Sequence, residues 1–333
     1  MKKGIREVEV TIPADYPLKG TLALPSGAEG TVPAILLVAG TGKSDRNGNG
    51  GGIDMNIYQE LADHLTRLGY ATLRYDKRGT HQSEGSYDEA GFWDYVADAR
   101  ACVRLLKSRP EIDASAVAVL GHSEGAMIAP ASFAEEPVAG MILLAGTAED
   151  GESMLTSQGK VAIRELEESK GFKGFLIRLL GIPNKARKQN AKLFATIRSS
   201  TGPTLKYRGV TLNAKWFREH LAFDVKDSLP SVTCPVLAVT GEKDIQVPPQ
   251  DVKTIAELVA GEAEWKVIPR MNHILRAYDG THSMLGVLKE YKTLLNEPIM
   301  PELLDTLADW LARHLPAGSP VTEPAAPAER LAE

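Results

Sequence analysis

The stretch AVAVLGHSEGAMIAPASFA, residues 116–134, decides how the rest of the chain is read. Ala116 to Leu120 is a short apolar run of strand length, and Glu124 to Ala134 has a helical pattern. Between them lies Gly121-His122-Ser123-Glu124-Gly125, a Gly-x-Ser-x-Gly string. A serine at a sharp strand-to-helix turn, flanked two residues away by glycines, is pushed out at the carboxyl edge of a sheet. The string alone recurs by chance, so its context carries the weight. Ser123 is therefore read as a nucleophile, and the plain alternative is a serine capping an ordinary helix.

A serine hydroxyl attacks poorly unless a base lies in hydrogen-bond reach and a third group orients that base. The expected chain order is serine, acid, histidine. Of seven histidines, His273 follows a late strand in WKVIPRMNH, where a loop can return it to the carboxyl edge. His282 is the second candidate. His64, His220 and His314 fall in helical patterns and read as surface residues, and His122 turns away from its neighbour Ser123. For the acid, the strand PVLAVTG ends in EKD and places Asp244 just beyond its carboxyl end. Glu242 ranks below it, and Asp224 and Asp227 read as turn or capping residues.

Upstream, AGTGKS (39–44) follows the apolar run AILLV and has the look of a phosphate loop. A Walker loop requires glycine five positions before Gly42, and that position is Leu37. The residues after Ser44, DRNGNGGG, are turn formers that cannot continue a phosphate-binding helix. Nucleotide binding fails on both grounds. Acyl transfer through a tetrahedral oxyanion, by contrast, needs two free backbone donors, one after the nucleophile and one on the loop after the first central strand. Those are the amides of Glu124 and Thr41, with Gly40 and Gly42 keeping the backbone open to substrate.

Around these loops, a hairpin of VEVTIP and LKGTLALP precedes apolar runs that alternate with helical patterns, implying a mainly parallel, doubly wound sheet. From about Ala148 to Pro230 strand patterns vanish and charged helical segments take over. The expected organisation is an α/β core formed by 1–147 and 231–316, a helical cap over 148–230, and a disordered tail over 317–333, rich in Ala, Pro and Glu. Within the cap, the apolar segment Phe172 to Leu180 is expected to line the acyl site, with Phe175 and Leu179 as substrate-binding residues.

Composition narrows the function classes. Hydrophobic residues make up 43% and charged residues 24%, as in a protein with a sizeable core. The net charge of -5, from 38 basic and 43 acidic residues, gives no field that favours nucleic acid. The apolar runs fall far short of the ~20 residues that span a bilayer. The start, MKKGIREVEV, has no apolar signal core. The two cysteines, Cys102 and Cys234, have no metal or disulfide spacing. The expectation is a cytoplasmic protein, with no metal site.

The motifs AGTGKSDRNGN, YDKRG, GHSEG, TGEKDIQVP and MNH, in this order, resemble the α/β-hydrolase fold family, and within it bacterial carboxylesterases with a helical cap. The resemblance spans Val8 to about Leu315. It implies a Ser123, Asp244, His273 triad, an oxyanion hole from the Thr41 and Glu124 amides, and no cofactor. Ala39-Gly40 stands where many relatives have His-Gly. His81 follows Arg-Gly where small or basic residues are usual, which brings it to the pocket wall as a candidate substrate contact. The implied function is cleavage of small-molecule carboxylic esters of short to medium acyl chain. Thioesterase, acyltransferase and aminopeptidase chemistry use the same centre, and a non-catalytic module on this scaffold is a further alternative. An aminopeptidase would need an acidic group for the substrate amine, for which Glu165, Glu167 and Glu168 stand in the cap. The basic segment Lys185 to Arg198 reads as a solvated cap face, so no stable membrane association is expected; a homo-oligomer is left open.

Overall fold

The computed structural model describes residues 4–317, so the expected tail lies, beyond Ala317, outside the described residues. The chain opens with the hairpin β1 (Ile5–Ile12) and β2 (Leu18–Pro25), then β3 (Val32–Val38) and a short ribbon of β4 (Asn49–Gly50) and β5 (Ile53–Asp54). Helix α1 (Ile57–Arg67), β6 (Ala71–Tyr75), α2 (Phe92–Ser108), β7 (Ile112–His122), α3 (Gly125–Phe133) and β8 (Gly140–Leu144) follow. An insertion then holds α4 (Gly151–Glu168), α5 (Gly171–Leu179), α6 (Ile182–Ser199), the hairpin β9 (Thr204–Tyr207) and β10 (Val210–Asn213), α7 (Ala214–Ala222) and α8 (Val225–Ser228). The chain returns through β11 (Val236–Gly241), α9 (Asp251–Leu258), β12 (Ala263–Ile268), α10 (Val287–Thr293) and α11 (Pro301–His314).

The central sheet has eight strands in the order β1-β2-β6-β3-β7-β8-β11-β12. β1 and β2 pair antiparallel, β2 meets β6 antiparallel, and the strands from β6 to β12 run parallel. This is the α/β-hydrolase architecture. The parallel strands read as continuous apolar runs because both faces are covered. Along β3, Leu36 and Val38 join one cluster with Phe92, Val96 and Met127 from α2 and α3. Ile35 and Leu37 point the other way, to Leu61, Leu65, Leu303 and Trp310 from α1 and α11. Crossover connections of this kind deliver every parallel strand to the same edge, so the loops after β3, β7, β11 and β12 converge there.

The insertion departs from the sequence reading in containing a hairpin. TLKY and VTLN pair with Val210 opposite Tyr207, joined by Arg208 (φ 52°) and Gly209 (φ 85°). A turn with both central residues at positive φ matches the right-handed twist of the strands, which explains the glycine. Helix α4 is capped by Asp150, whose carboxylate accepts the Ser153 amide at 2.8 Å.

Candidate active site

Ser123 sits between β7 and α3 at φ 56°, in the left-handed region that non-glycine residues seldom occupy. The turn is tight enough to exclude side chains on both sides. A Cβ on Gly121 would fall 2.2 Å from the Gly125 carbonyl oxygen, and one on Gly125 would fall 2.1 Å from that of Val38. The Ser123 amide donates to Leu144 O at 2.9 Å, fixing the elbow against the end of β8.

The loop after β12 brings His273 over the serine, with Nε2 3.0 Å from Ser123 Oγ. Its Nδ1 lies 2.8 Å from Asp244 Oδ2, on the loop after β11. Asp244 is itself held: Oδ1 accepts the amides of Gln246 at 2.9 Å and Val247 at 3.1 Å, and Oδ2 accepts the Thr240 hydroxyl at 3.1 Å. The two loops lie so close that a Cβ on Gly241 would meet Met271 O at 1.8 Å. The second candidates are placed elsewhere. Glu242 is exposed and accepts the Arg270 amide, while His282 pairs with Glu290 at 3.0 Å.

On the other flank, Gly40 and Thr41 line the pocket after β3. Among the described residues, neither the Thr41 nor the Glu124 amide donates a backbone hydrogen bond. A Cβ on Gly40 would stand 3.0 Å from Ser123 Cβ, so glycine is what lets this loop approach the serine. Gly42, at φ 125°, turns the loop without joining the pocket wall, which corrects its assignment as a substrate contact.

Two buried networks that the sequence reading missed hold these loops. His273 O can only accept, so His122 Nε2, 2.9 Å away, carries the proton. His122 Nδ1 then accepts from the Tyr58 hydroxyl at 3.0 Å, and that hydroxyl accepts the Gly40 amide at 2.7 Å. The histidine loop and the Gly40 loop are thereby joined through one imidazole. Burial, with a smaller contribution from His273, drives the His122 pKa down to about 4. The second network centres on Lys77, whose ammonium donates to Gly40 O and to Glu124 Oε2, both at 2.7 Å. Trp216 Nε1 donates to Glu124 Oε1 at 2.6 Å. Burial pushes the Glu124 carboxyl pKa up, but Lys77, His220 and Trp216 together outweigh it and hold the group below its usual range.

The pocket above Ser123 encloses about 370 Å3. The core contributes the loops just described, and the insertion contributes Met154, Leu155 and Gln158 from α4 and Trp216 and His220 from α7. Three further expectations are corrected here. Phe175 and Leu179 are 54% and 66% exposed and do not line the pocket; α5 lies against α4 and α6, with Ile177 buried. His81, at φ 44°, is turned outward with its ring 3.4 Å from Lys43 O. His220, read as a surface residue, is only 1% exposed and faces the pocket. Its ring stacks on Trp216, with centroids 4.6 Å apart.

The sequence matches the serine aminopeptidase S33 family over residues 49–277. It is 25% identical over 313 residues to the esterase EstD of Thermotoga maritima, covering 93% of this chain and 68% of that protein. Among solved structures, Est1E from Butyrivibrio proteoclasticus with bound ferulic acid superposes with a TM-score of 0.58 at 20% identity, covering 86% of this chain and 97% of that one. The Pyrococcus furiosus esterase Pf2001 superposes with a TM-score of 0.59 at 16% identity, covering 93% and 92%. With this fold, elbow and matched length, the chain belongs to the serine aminopeptidase S33 family of α/β-hydrolases.

Proposed function

We propose that this protein is a serine carboxylesterase that cleaves esters of short to medium acyl chain through an acyl-enzyme on Ser123. The observation that carries the reading is the hydrogen-bonded series from Ser123 Oγ to His273 Nε2 and from His273 Nδ1 to Asp244, at 3.0 and 2.8 Å, with Ser123 and His273 lining a pocket. Ser123 Oγ attacks the ester carbonyl while His273 Nε2 takes its proton, and Asp244 stabilises the imidazolium. The amides of Thr41 and Glu124 receive the oxyanion. As the tetrahedral species collapses, the C–O bond breaks and His273 returns the proton to the departing alcohol. Water, deprotonated by His273, then releases the acid and restores Ser123. Residues 148–230 act as the cap that shapes the acyl and alcohol sites.

Ester rather than aminoacyl substrates are favoured by the pocket's charge. Among the described residues, the only carboxylate on its wall is Glu124, already bonded to Lys77 and Trp216. Glu165 is engaged by Ser283 Oγ and the Met284 amide at 2.8 and 2.5 Å, and Glu167 by Arg187 at 2.7 Å, so neither is presented to a substrate amine. The names of the relatives EstD, Est1E and Pf2001 point the same way. An organophosphate is expected to label Ser123 stoichiometrically, with p-nitrophenyl esters hydrolysed faster than a thioester or an aminoacyl amide. Ser123→Ala removes both labelling and turnover; full activity in that variant would end this reading.

A further inference from the structure

His220 has no assigned part in the chemistry, yet it is one of the least ordinary side chains in the molecule. It is 1% exposed, and both ring nitrogens are buried without a hydrogen-bond partner among the described residues. Burying a polar group unpaired is costly, and such groups in native proteins call for a functional role or for a bound water, ion or ligand that satisfies them. This one belongs to a residue that lines the Ser123 pocket. Trp216 stacks on one face of the ring at an interplanar angle of 16°, Phe92 meets it edge-on at 6.1 Å, and Gly151 packs beneath its backbone. The ring is therefore held in place by packing, with both nitrogens left without a protein partner at the pocket wall.

We propose that His220 is a specificity-determining residue that reads a hydroxyl on the acyl part of the substrate, so that the preferred esters are those of hydroxy acids. A neutral imidazole presents one N–H donor and one acceptor nitrogen on opposite edges of the ring, and a hydroxyl can pair with whichever of the two it meets, accepting from the one or donating to the other. The placement on the acyl side follows from the mechanism proposed above, on which this inference rests. The leaving alcohol must lie toward His273, which protonates it, beside Ile274, Leu288 and Tyr291. His220 instead stands with Trp216 near Glu124, the residue after the nucleophile, and is not grouped with those residues, which assigns it to the acyl part. The pocket's remaining wall agrees with a polar substituent: Thr41, Thr147, Gln158 and Gln246 all line it beside the apolar groups. A site built to pair with a substrate hydroxyl discriminates against the analogue lacking it, because its own polar group is then left unpaired.

The test compares p-nitrophenyl 3-hydroxybutyrate with p-nitrophenyl butyrate, and 2-hydroxyethyl butyrate with ethyl butyrate, in the wild type and in His220→Phe. Phenylalanine keeps the stack on Trp216 and deletes both nitrogens. The wild type should favour the hydroxyacyl ester by about 10-fold or more in kcat/KM, show no such preference for the hydroxylated alcohol, and lose the acyl preference in His220→Phe. Binding of 3-hydroxybutyrate and butyrate to the wild type, followed by calorimetry, gives a readout independent of turnover and of how well the variant folds; the hydroxy acid should bind more tightly. Esters turned over with no hydroxyl preference, a preference confined to the alcohol part, or one unchanged in His220→Phe would each overturn the inference. Selective binding of the hydroxy acid without any ester turnover would uphold the His220 site while sinking the esterase reading.

Discussion

At the scale of single residues, Ser123, His273 and Asp244 form one connected unit, and this makes their combined effects predictable. Asp244→Asn should leave fold and substrate binding intact while lowering kcat by about 10^4-fold, because the amide cannot hold the imidazole in the same tautomer. His273→Ala should cost at least as much. Groups acting together are strongly non-additive, so the double variant should be little slower than His273→Ala alone. Steady-state kinetics on one p-nitrophenyl ester decide it; losses that multiply would show that the two residues act separately. These three residues were legible because each stands at a fixed offset from a strand end, and strand ends are marked by apolar runs. Tyr58, Lys77 and Trp216 were not. Their partners lie 64, 47 and 92 positions away in sequence, and nothing local marks a tyrosine whose hydroxyl will meet His122 or a lysine that will bridge Gly40 and Glu124. His220 was misread for a related reason. A histidine on a charged helix has the pattern of a surface residue until Trp216, one turn earlier, is seen to stack on it.

Elements show the same division between what periodicity fixes and what it leaves open. Strands β3 and β11, and β7 from Val117 onward, are buried on both faces, so their apolar runs could belong nowhere but the sheet interior. Helix α5 has an apolar pattern just as clear, but periodicity does not say which partner a stripe will meet. The stripe was assigned to the acyl site, whereas Phe172, Phe175 and Leu179 are exposed. The insertion's contribution to the pocket comes from α4 and α7. Acyl-chain selectivity should therefore follow Leu155 on α4. Leu155→Ala enlarges the pocket where a longer chain would extend, and should shift the preference between butyrate and octanoate p-nitrophenyl esters by about 10-fold, since one methylene's fit is worth ~1–3 kcal/mol. Phe175→Ala, outside the pocket, should leave the profile unchanged. The opposite pattern, with Phe175 setting chain length, would mean that α5 folds over the site when substrate binds.

The whole molecule carries a pH dependence written into its interior. Six parallel strands aim their loops at one edge, and the groups that stitch those loops together are buried and titratable. That much of the molecule was legible from strand order, but which buried groups would do the stitching depends on contacts across the fold. His122 is the central one, with its pKa taken down to about 4 chiefly by burial; His64 and His220 are lowered in the same direction, again chiefly by burial. An unfolded histidine titrates near ~6.5. Between that value and about 4, the unfolded chain binds a proton at position 122 that the native state refuses, so the stability present above pH 6.5 is lost as pH falls through this window. The shift corresponds to about 3 kcal/mol from His122 alone, since each unit is worth about 1.4 kcal/mol. The other two histidines add to the loss. Urea unfolding at intervals from pH 7 to pH 4.5 should show stability falling steadily, well before the carboxylates protonate. His122→Gln keeps an amide donor for His273 O but cannot titrate, so it should start from a lower stability at pH 7 and lose less on acidification, its slope reduced by about one proton. Wild type and variant falling in parallel would show that folded His122 takes up its proton as readily as the unfolded chain, with both ring nitrogens then donating, one to His273 O and one to the Tyr58 hydroxyl.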